Sequence, residues 1–167
     1  AYYYDAVLWA VENGVTNGKD ATHFEPNGIC TRAQAVTLLW RNAGQPEPKT
    51  TTMPFNDVNP GRYYEKAVLW AMEEGITNGT TTTTFTPDAN CTRAQIVTFL
   101  WRAAGQPEPK TTTMPFNDVS PGKYYEKAVL WAMEEGITNG TTTTTFTPNA
   151  DCTRAQIVTF LYRAATN

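Results

Sequence analysis

The sequence predicts a mainly α fold in which three tandem units, each two helices and a loop, pack together as one pseudo-threefold body. Three observations carry this expectation. First, Cys30, Cys91 and Cys152 each open the same pentapeptide, Cys-Thr-Arg-Ala-Gln, and successive copies lie 61 residues apart. The same step carries Trp9 to Trp70 and Trp131, and Phe24 to Phe85 and Phe146, without insertion or deletion. A period this strict marks one supersecondary unit used three times. Second, apolar residues recur at helical spacing in two stretches of every unit. Third, a unit this short buries too small a share of its surface to stand alone, so the copies should share a core. The repeats are bounded as 1–48, 49–109 and 110–167.

Within a repeat the elements follow in order. Asn59-Pro60 and Ser120-Pro121 offer an N-cap followed by proline at the first helical position. The first helix is therefore expected from there through the Tyr-Tyr-Glu-Lys-Ala-Val-Leu-Trp-Ala-Met-Glu-Glu stretch to Gly75 and Gly136, with Gly14 their equivalent in repeat 1. Ala67, Val68, Ala71 and Met72 give it an apolar face, widened by Tyr64 and Trp70. A threonine-rich stretch follows, opened by the turn signal Asn78-Gly79 and closed by Pro87; it reads as a loop with at most a very short strand. The second helix starts at Thr92 and runs to Gly105, with Ile96, Val97, Leu100, Trp101 and Ala104 as its stripe. Gln106-Pro107-Glu108-Pro109 then reads as an extended connector, because residues before proline avoid the helical region.

Composition narrows the function classes. With 41% hydrophobic and 17% charged residues the chain is far from disordered. A net charge of −3 gives no electrostatic footprint for nucleic acid. Nothing reads as a signal peptide, and no apolar run approaches the ~20 residues of a membrane span. Repeats 2 and 3 each begin with Phe-Asn-Asp-Val, at 55–58 and 116–119, and counting back 61 residues from Phe55 lands before Ala1. Repeat 1 is thus expected to lack its opening segment, as a piece cut from a longer protein would.

The ordered motifs carry a family resemblance. Phe-x-Asp-Val, an aromatic-rich first helix, Gly-Ile/Val-Thr-Asn-Gly, a threonine-rich loop ending in Phe-x-Pro, and Thr-Arg-Ala-Gln opening a second helix together resemble the S-layer homology domain, whose hallmark tetrapeptide is Thr-Arg-Ala-Glu or a near variant. The resemblance covers all three repeats, less the start of the first. It implies a triplet folded as one body that holds an exported protein to the bacterial envelope, extracellularly, by noncovalent binding of secondary cell-wall polysaccharide, often pyruvylated.

The hallmark can also be read physically. Thr31, Thr92 and Thr153 with Gln34, Gln95 and Gln156 fit the capping box that starts a helix. Arg32, Arg93 and Arg154 do not help a helix start, because a cation there meets the positive end of the dipole at a cost of about 0.3–1 kcal/mol. Two compensations are open: an internal salt bridge to Asp57 or Asp118, or an anionic ligand held by the arginine fork and the free amides of the helix N-terminus. The glutamines leave room for an incoming negative charge, and Gly18, Gly79 and Gly140 would let backbone approach a sugar closely or simply satisfy a turn. On this reading Arg93→Ala should barely affect folding.

Among the aromatics, Trp9, Trp70, Trp131, Trp40, Trp101 and Tyr162 are expected in the core. Of each adjacent pair Tyr2-Tyr3, Tyr63-Tyr64 and Tyr124-Tyr125, one ring must face outward, where Tyr63 and Tyr124 could stack on a sugar or pack on a neighbouring repeat. The single cysteine per repeat, with His23 the only histidine, offers no metal-ligand set, and buried unmodified thiols are expected. No nucleophile, base or carboxylate pair recurs as a catalytic set, and no cofactor or enzymatic activity is expected. The alternative to glycan binding is assembly, with the incomplete first repeat receiving another chain's Phe-Asn-Asp-Val segment in a surface lattice or filament.

Overall fold

A computed structural model describes residues 1–167 and contains six helices: α1 (Tyr4–Glu12), α2 (Arg32–Asn42), α3 (Glu65–Glu73), α4 (Arg93–Ala103), α5 (Glu126–Glu134) and α6 (Arg154–Thr166). The second helix of each repeat begins where the capping box places it. The Thr92 hydroxyl accepts from the Gln95 amide at 3.1 Å, and the Gln95 side-chain oxygen accepts from the Thr92 amide at 3.0 Å. Thr31 with Gln34 and Thr153 with Gln156 repeat the pattern. The loops hold only isolated bridges, such as Thr31 to Asn90 and Thr92 to Asp151, and no regular strand.

The first helix starts later than its proline predicts. Gly61 and Gly122 follow the prolines at φ +80 and +83, a left-handed backbone that an α-helix cannot propagate. The helices therefore begin at Glu65 and Glu126, and each tyrosine pair lies in the turn before them. The pairs still divide as expected: Tyr64 is 3% and Tyr63 55% exposed, and the two rings meet edge to face. The connector differs as well, since Gly105 and Gln106 both take positive φ before the chain extends.

Helices pair between repeats and not within them. α3 packs on α2, α5 on α4, and α1 on α6, so each first helix leans on the second helix of the preceding repeat and the last contact closes a ring. α2, α4 and α6 also meet one another at the centre. Trp9 of α1 lies 5.7 Å from Tyr162 of α6 at the closing contact. This arrangement explains why one cluster of 39 buried residues, and not three small ones, forms the core.

The cysteines sit on the pseudo-threefold axis. Cys30 donates its amide to the Cys152 carbonyl, Cys91 to that of Cys30, and Cys152 to that of Cys91, at 2.8 to 3.0 Å, closing a cyclic backbone link. All three are free thiols, fully buried. Burial pushes the Cys30 thiol up to about 11 and the Cys91 thiol up to about 12.

Candidate functional site

The start of α2, α4 and α6 is built from two repeats at once. The Arg32 and Ala33 amides donate to the Ala89 and Pro87 carbonyls of repeat 2, and those of Arg93 and Ala94 to Ala150 and Pro148 of repeat 3. Those of Arg154 and Ala155 donate to Gly28 and Pro26 of repeat 1. With the capping threonine taking the next amide, each helix N-terminus is fully satisfied by protein. The free amides expected for an anion are thus not present there, because the loop of the next repeat has already docked onto them.

The arginines reach into that neighbouring repeat. Arg32 Nε donates to the Phe85 carbonyl at 2.9 Å and Arg93 Nε to the Phe146 carbonyl at 2.8 Å, while Arg154 Nε takes the Phe24 carbonyl at 2.8 Å. Their guanidinium carbons lie 4.7 to 4.8 Å from the Phe85, Phe146 and Phe24 ring centres, and Phe99 and Phe160 add second rings at 5.5 Å to Arg32 and Arg93. Such stacking contributes about 0.5–2 kcal/mol, more where the cation is desolvated. Arg32 and Arg93 are only 4% exposed, and burial lowers the pKa of both below the ordinary value. The expectation that arginine could be removed with little effect on folding is therefore corrected: its stem, its Nε and its ring contacts are part of the core.

No carboxylate pairs with these arginines. The four ion pairs of the fold are surface contacts among Lys19, Glu25, His23, Asp20, Lys66, Glu47, Lys127 and Glu108. Asp57 and Asp118, the sequence candidates for an internal salt bridge, are engaged elsewhere. The Asp57 carboxylate accepts from the Phe85 and Thr86 amides, both at 2.8 Å, and Asp118 accepts from Phe146 and Thr147 likewise. They tie the threonine loop down and form no ion pair with the arginines, although Asp57 and Asp118 lie near enough for their charge to favour the Arg32 and Arg93 cations. The Nη nitrogens of Arg32, Arg93 and Arg154 bond no protein atom, so their remaining hydrogen-bonding capacity faces the groove beside them.

Each groove collects all three repeats. Beside Arg32 stand Asn78, Gly79, Gln95 and Arg102 of repeat 2 and Tyr124 of repeat 3, around a volume of about 410 Å³. Beside Arg93 stand Asn139, Gly140, Gln156 and Arg163 of repeat 3 and Tyr2 of repeat 1, around about 400 Å³. Arg154 with Gly18, Gln34, Arg41 and Tyr63 forms the third, which narrows to about 70 Å³. The third also differs in composition: Leu38 replaces the second phenylalanine, and Lys19 and Glu25, 3.6 Å apart, replace two threonines. Desolvation raises the Tyr63 and Tyr124 hydroxyl pKa values.

The structure thus gathers the arginine, glutamine, glycine and tyrosine candidates, but from different copies of the motif. Gln95 shares a groove with Arg32 and not with its own neighbour Arg93. Gly79 sits in a turn at φ +83, where an added Cβ would lie 2.5 Å from Phe55 and from the Thr81 and Thr84 carbonyls, so the fold requires it apart from any ligand. Sequence reasoning missed the second cation of each groove, Arg41, Arg102 or Arg163. Its 61-residue recurrence was the available signal. Arg102 and Arg163 each donate one Nη1 bond, to the Ile76 and Ile137 carbonyls at 3.1 Å. No three His, Cys, Asp or Glu side chains converge as a metal set.

Comparison with known proteins agrees with this architecture. The S-layer homology domain family matches residues 1–36, 54–97 and 115–158. An endoglucanase of Bacillus sp. (strain KSM-635) is 32% identical over 136 residues, which is 81% of this chain and 14% of the endoglucanase. A surface-layer 125 kDa protein of Lysinibacillus sphaericus is 29% identical over 170 residues, covering 99% of this chain and 14% of its own length. A cellulosome-anchoring protein of Acetivibrio thermocellus is 25% identical over 147 residues, 84% of this chain and 33% of that protein. The chain therefore spans a third or less of these relatives.

Proposed function

The chain belongs to the S-layer homology domain family, and from that premise we propose that it anchors protein to the bacterial cell surface by binding an acidic, pyruvylated secondary cell-wall polysaccharide in the grooves between its repeats. The chain is a cell-surface module, and its role in this reading is binding and not catalysis. One observation carries the finer reading. Arg32 and Arg93 are buried cations with no carboxylate partner, and each opens onto a groove that holds a second arginine. Burying an unpaired charge is expensive, and a ligand carboxylate would offset that cost. The arginine fork matches a carboxylate in two hydrogen bonds, whereas a neutral sugar offers it no charge.

The other groove residues have roles that fit a ketal-bearing sugar. Gln95 and Gln156 use their side-chain oxygen in the capping box, which leaves their amide NH2 as a neutral donor toward the groove. Tyr124 and Tyr2, exposed at the groove edge, offer ring faces for a pyranose. Asp57 and Asp118 act indirectly, by holding the loop whose turn forms the groove wall. The two wide grooves are the binding sites in this proposal, and the narrow Arg154 groove contributes less.

The test is retention on purified cell walls before and after mild acid treatment that removes pyruvate ketals. The chain should sediment with native walls and stay in solution with treated ones. Equal retention on both would refute the carboxylate role.

A further inference from the structure

The last turns of α2, α4 and α6 surround an apolar cup at the end of the core opposite the cysteines. The cup holds about 350 Å³, a size typical of small-ligand sites, and ten of its twelve lining residues are apolar. Leu39 and Leu100 form a buried floor, Trp70 of α3 and Trp131 of α5 the walls, and Asn42 and Ala103 part of an exposed rim. Neither connector after α2 or α4 lines it: the Trp40 and Trp101 indoles instead hold the Pro46 and Pro107 carbonyls, both at 2.8 Å. The floor, the walls and the α2 and α4 parts of the rim thus lie in stretches whose chain continues on both sides.

Two donors in this cup lack a partner. Trp70 and Trp131 are each 8% exposed, yet neither indole N–H bonds a protein acceptor, unlike those of Trp40 and Trp101. No side-chain nitrogen is both fully buried and unbonded, so both indoles keep an opening, and the cup is the cavity that both rings line. A nearly buried donor calls for an acceptor, because leaving it unmet is costly. The mouth has the opposite polarity. The Asn42 and Ala103 carbonyls accept no protein hydrogen bond, three helices turn the negative ends of their dipoles this way, and Glu74 stands beside them. No lysine or arginine lines the cup, so an anion would meet repulsion.

We propose that the cup is a binding site for a small neutral molecule with an apolar aliphatic or aromatic body and one carbonyl oxygen, an amide or ester. The body fills the space over Leu39 and Leu100, and the oxygen accepts from the indoles of the wall. The site shares no residue with the arginine grooves and stands whether or not they bind glycan.

Titrating N-cyclohexylacetamide into the isotopically labelled chain tests this by magnetic resonance. Saturable one-to-one binding is expected, with a dissociation constant in the millimolar range or tighter. The Trp70 and Trp131 indole signals should move, while those of Trp40 and Trp101, already bonded, stay in place. Cyclohexylacetate, similar in shape but anionic, should bind at least about tenfold more weakly. Ala103→Phe, a substitution at an exposed rim position, should fill the cup, abolish the shifts and leave the melting temperature unchanged. No shift at about 10 mM probe, equal movement of every indole signal, cyclohexylacetate binding as tightly as the amide, or unaltered binding by the Ala103→Phe chain would each overturn the proposal.

Discussion

Replacing Asp57 by alanine removes one carboxylate and orphans two backbone amides, and its cost can be worked from the geometry. The carboxylate accepts from the Phe85 and Thr86 amides, each at 2.8 Å, and Phe85 is fully buried. A hydrogen bond to a charged group contributes about 1.5–3 kcal/mol, and a buried donor left unsatisfied costs about 1–3 kcal/mol. Asp57 is partly exposed, so water recovers some of this, and a net loss of about 3 kcal/mol is expected. At about 2–4 °C per kcal/mol for a chain this long, the melting temperature should fall on the order of 10 °C. Asp57→Asn keeps one acceptor oxygen and should lose about half as much. Urea unfolding followed by helical circular dichroism measures both. A loss below about 1 kcal/mol for Asp57→Ala, with an unchanged denaturant slope, would refute the assignment of Asp57 as the clamp of the threonine loop.

Three further outcomes follow from particular contacts. Thr92→Ala removes the hydroxyl that takes the Gln95 amide at 3.1 Å and should cost about 0.5–2 kcal/mol of unfolding free energy. Gly79→Ala, at φ +83 with three atoms 2.5 Å from the added Cβ, should cost more than Gly61→Ala, at φ +80 with open space around it, where about 1–2 kcal/mol is expected; the two melting curves decide. The thiols make stability fall in alkali. Cys91 ionises near 9.0 when exposed and near 12 when buried, so the fold holds its proton more tightly, and that contribution is complete below pH 9 and lost as pH rises toward 12. The slope is about 1.4 kcal/mol per pH unit per thiol, and Cys91→Ala should flatten it in unfolding measurements between pH 9 and 11.

The parts legible in the sequence were those set by neighbours along the chain. The capping boxes at Thr31, Thr92 and Thr153, the glycine stops and the burial of one tyrosine per pair all depend on a few adjacent residues, and the period announced three copies. The start of α3 is not legible from Asn59-Pro60, which is a helix signal only if the next residue can stay helical, and Gly61 turns the other way. The arginine environment was not legible for a different reason. Arg32 meets Phe85, 53 residues away, because helices pair across repeats, and the sequence does not state that choice of partner. The same docking satisfies the helix amides with Pro87 and Ala89 carbonyls, which no local rule anticipates. Asp57 looked like a partner for arginine, but two amides 28 and 29 residues ahead claim it.

Calorimetric titration of the chain, and of its Arg32→Met/Arg93→Met double variant, with a wall-polysaccharide fragment ending in a pyruvate ketal decides whether the groove arginines hold a ligand carboxylate. Methionine keeps an unbranched stem against Phe85, Phe99, Phe146 and Phe160 while removing the charge and the fork. About two sites are expected on the parent chain, with a folded double variant whose affinity is reduced on the order of a hundredfold, as for a lost desolvated contact of about 2–5 kcal/mol. A folded double variant that binds the fragment as tightly as the parent would contradict this expectation.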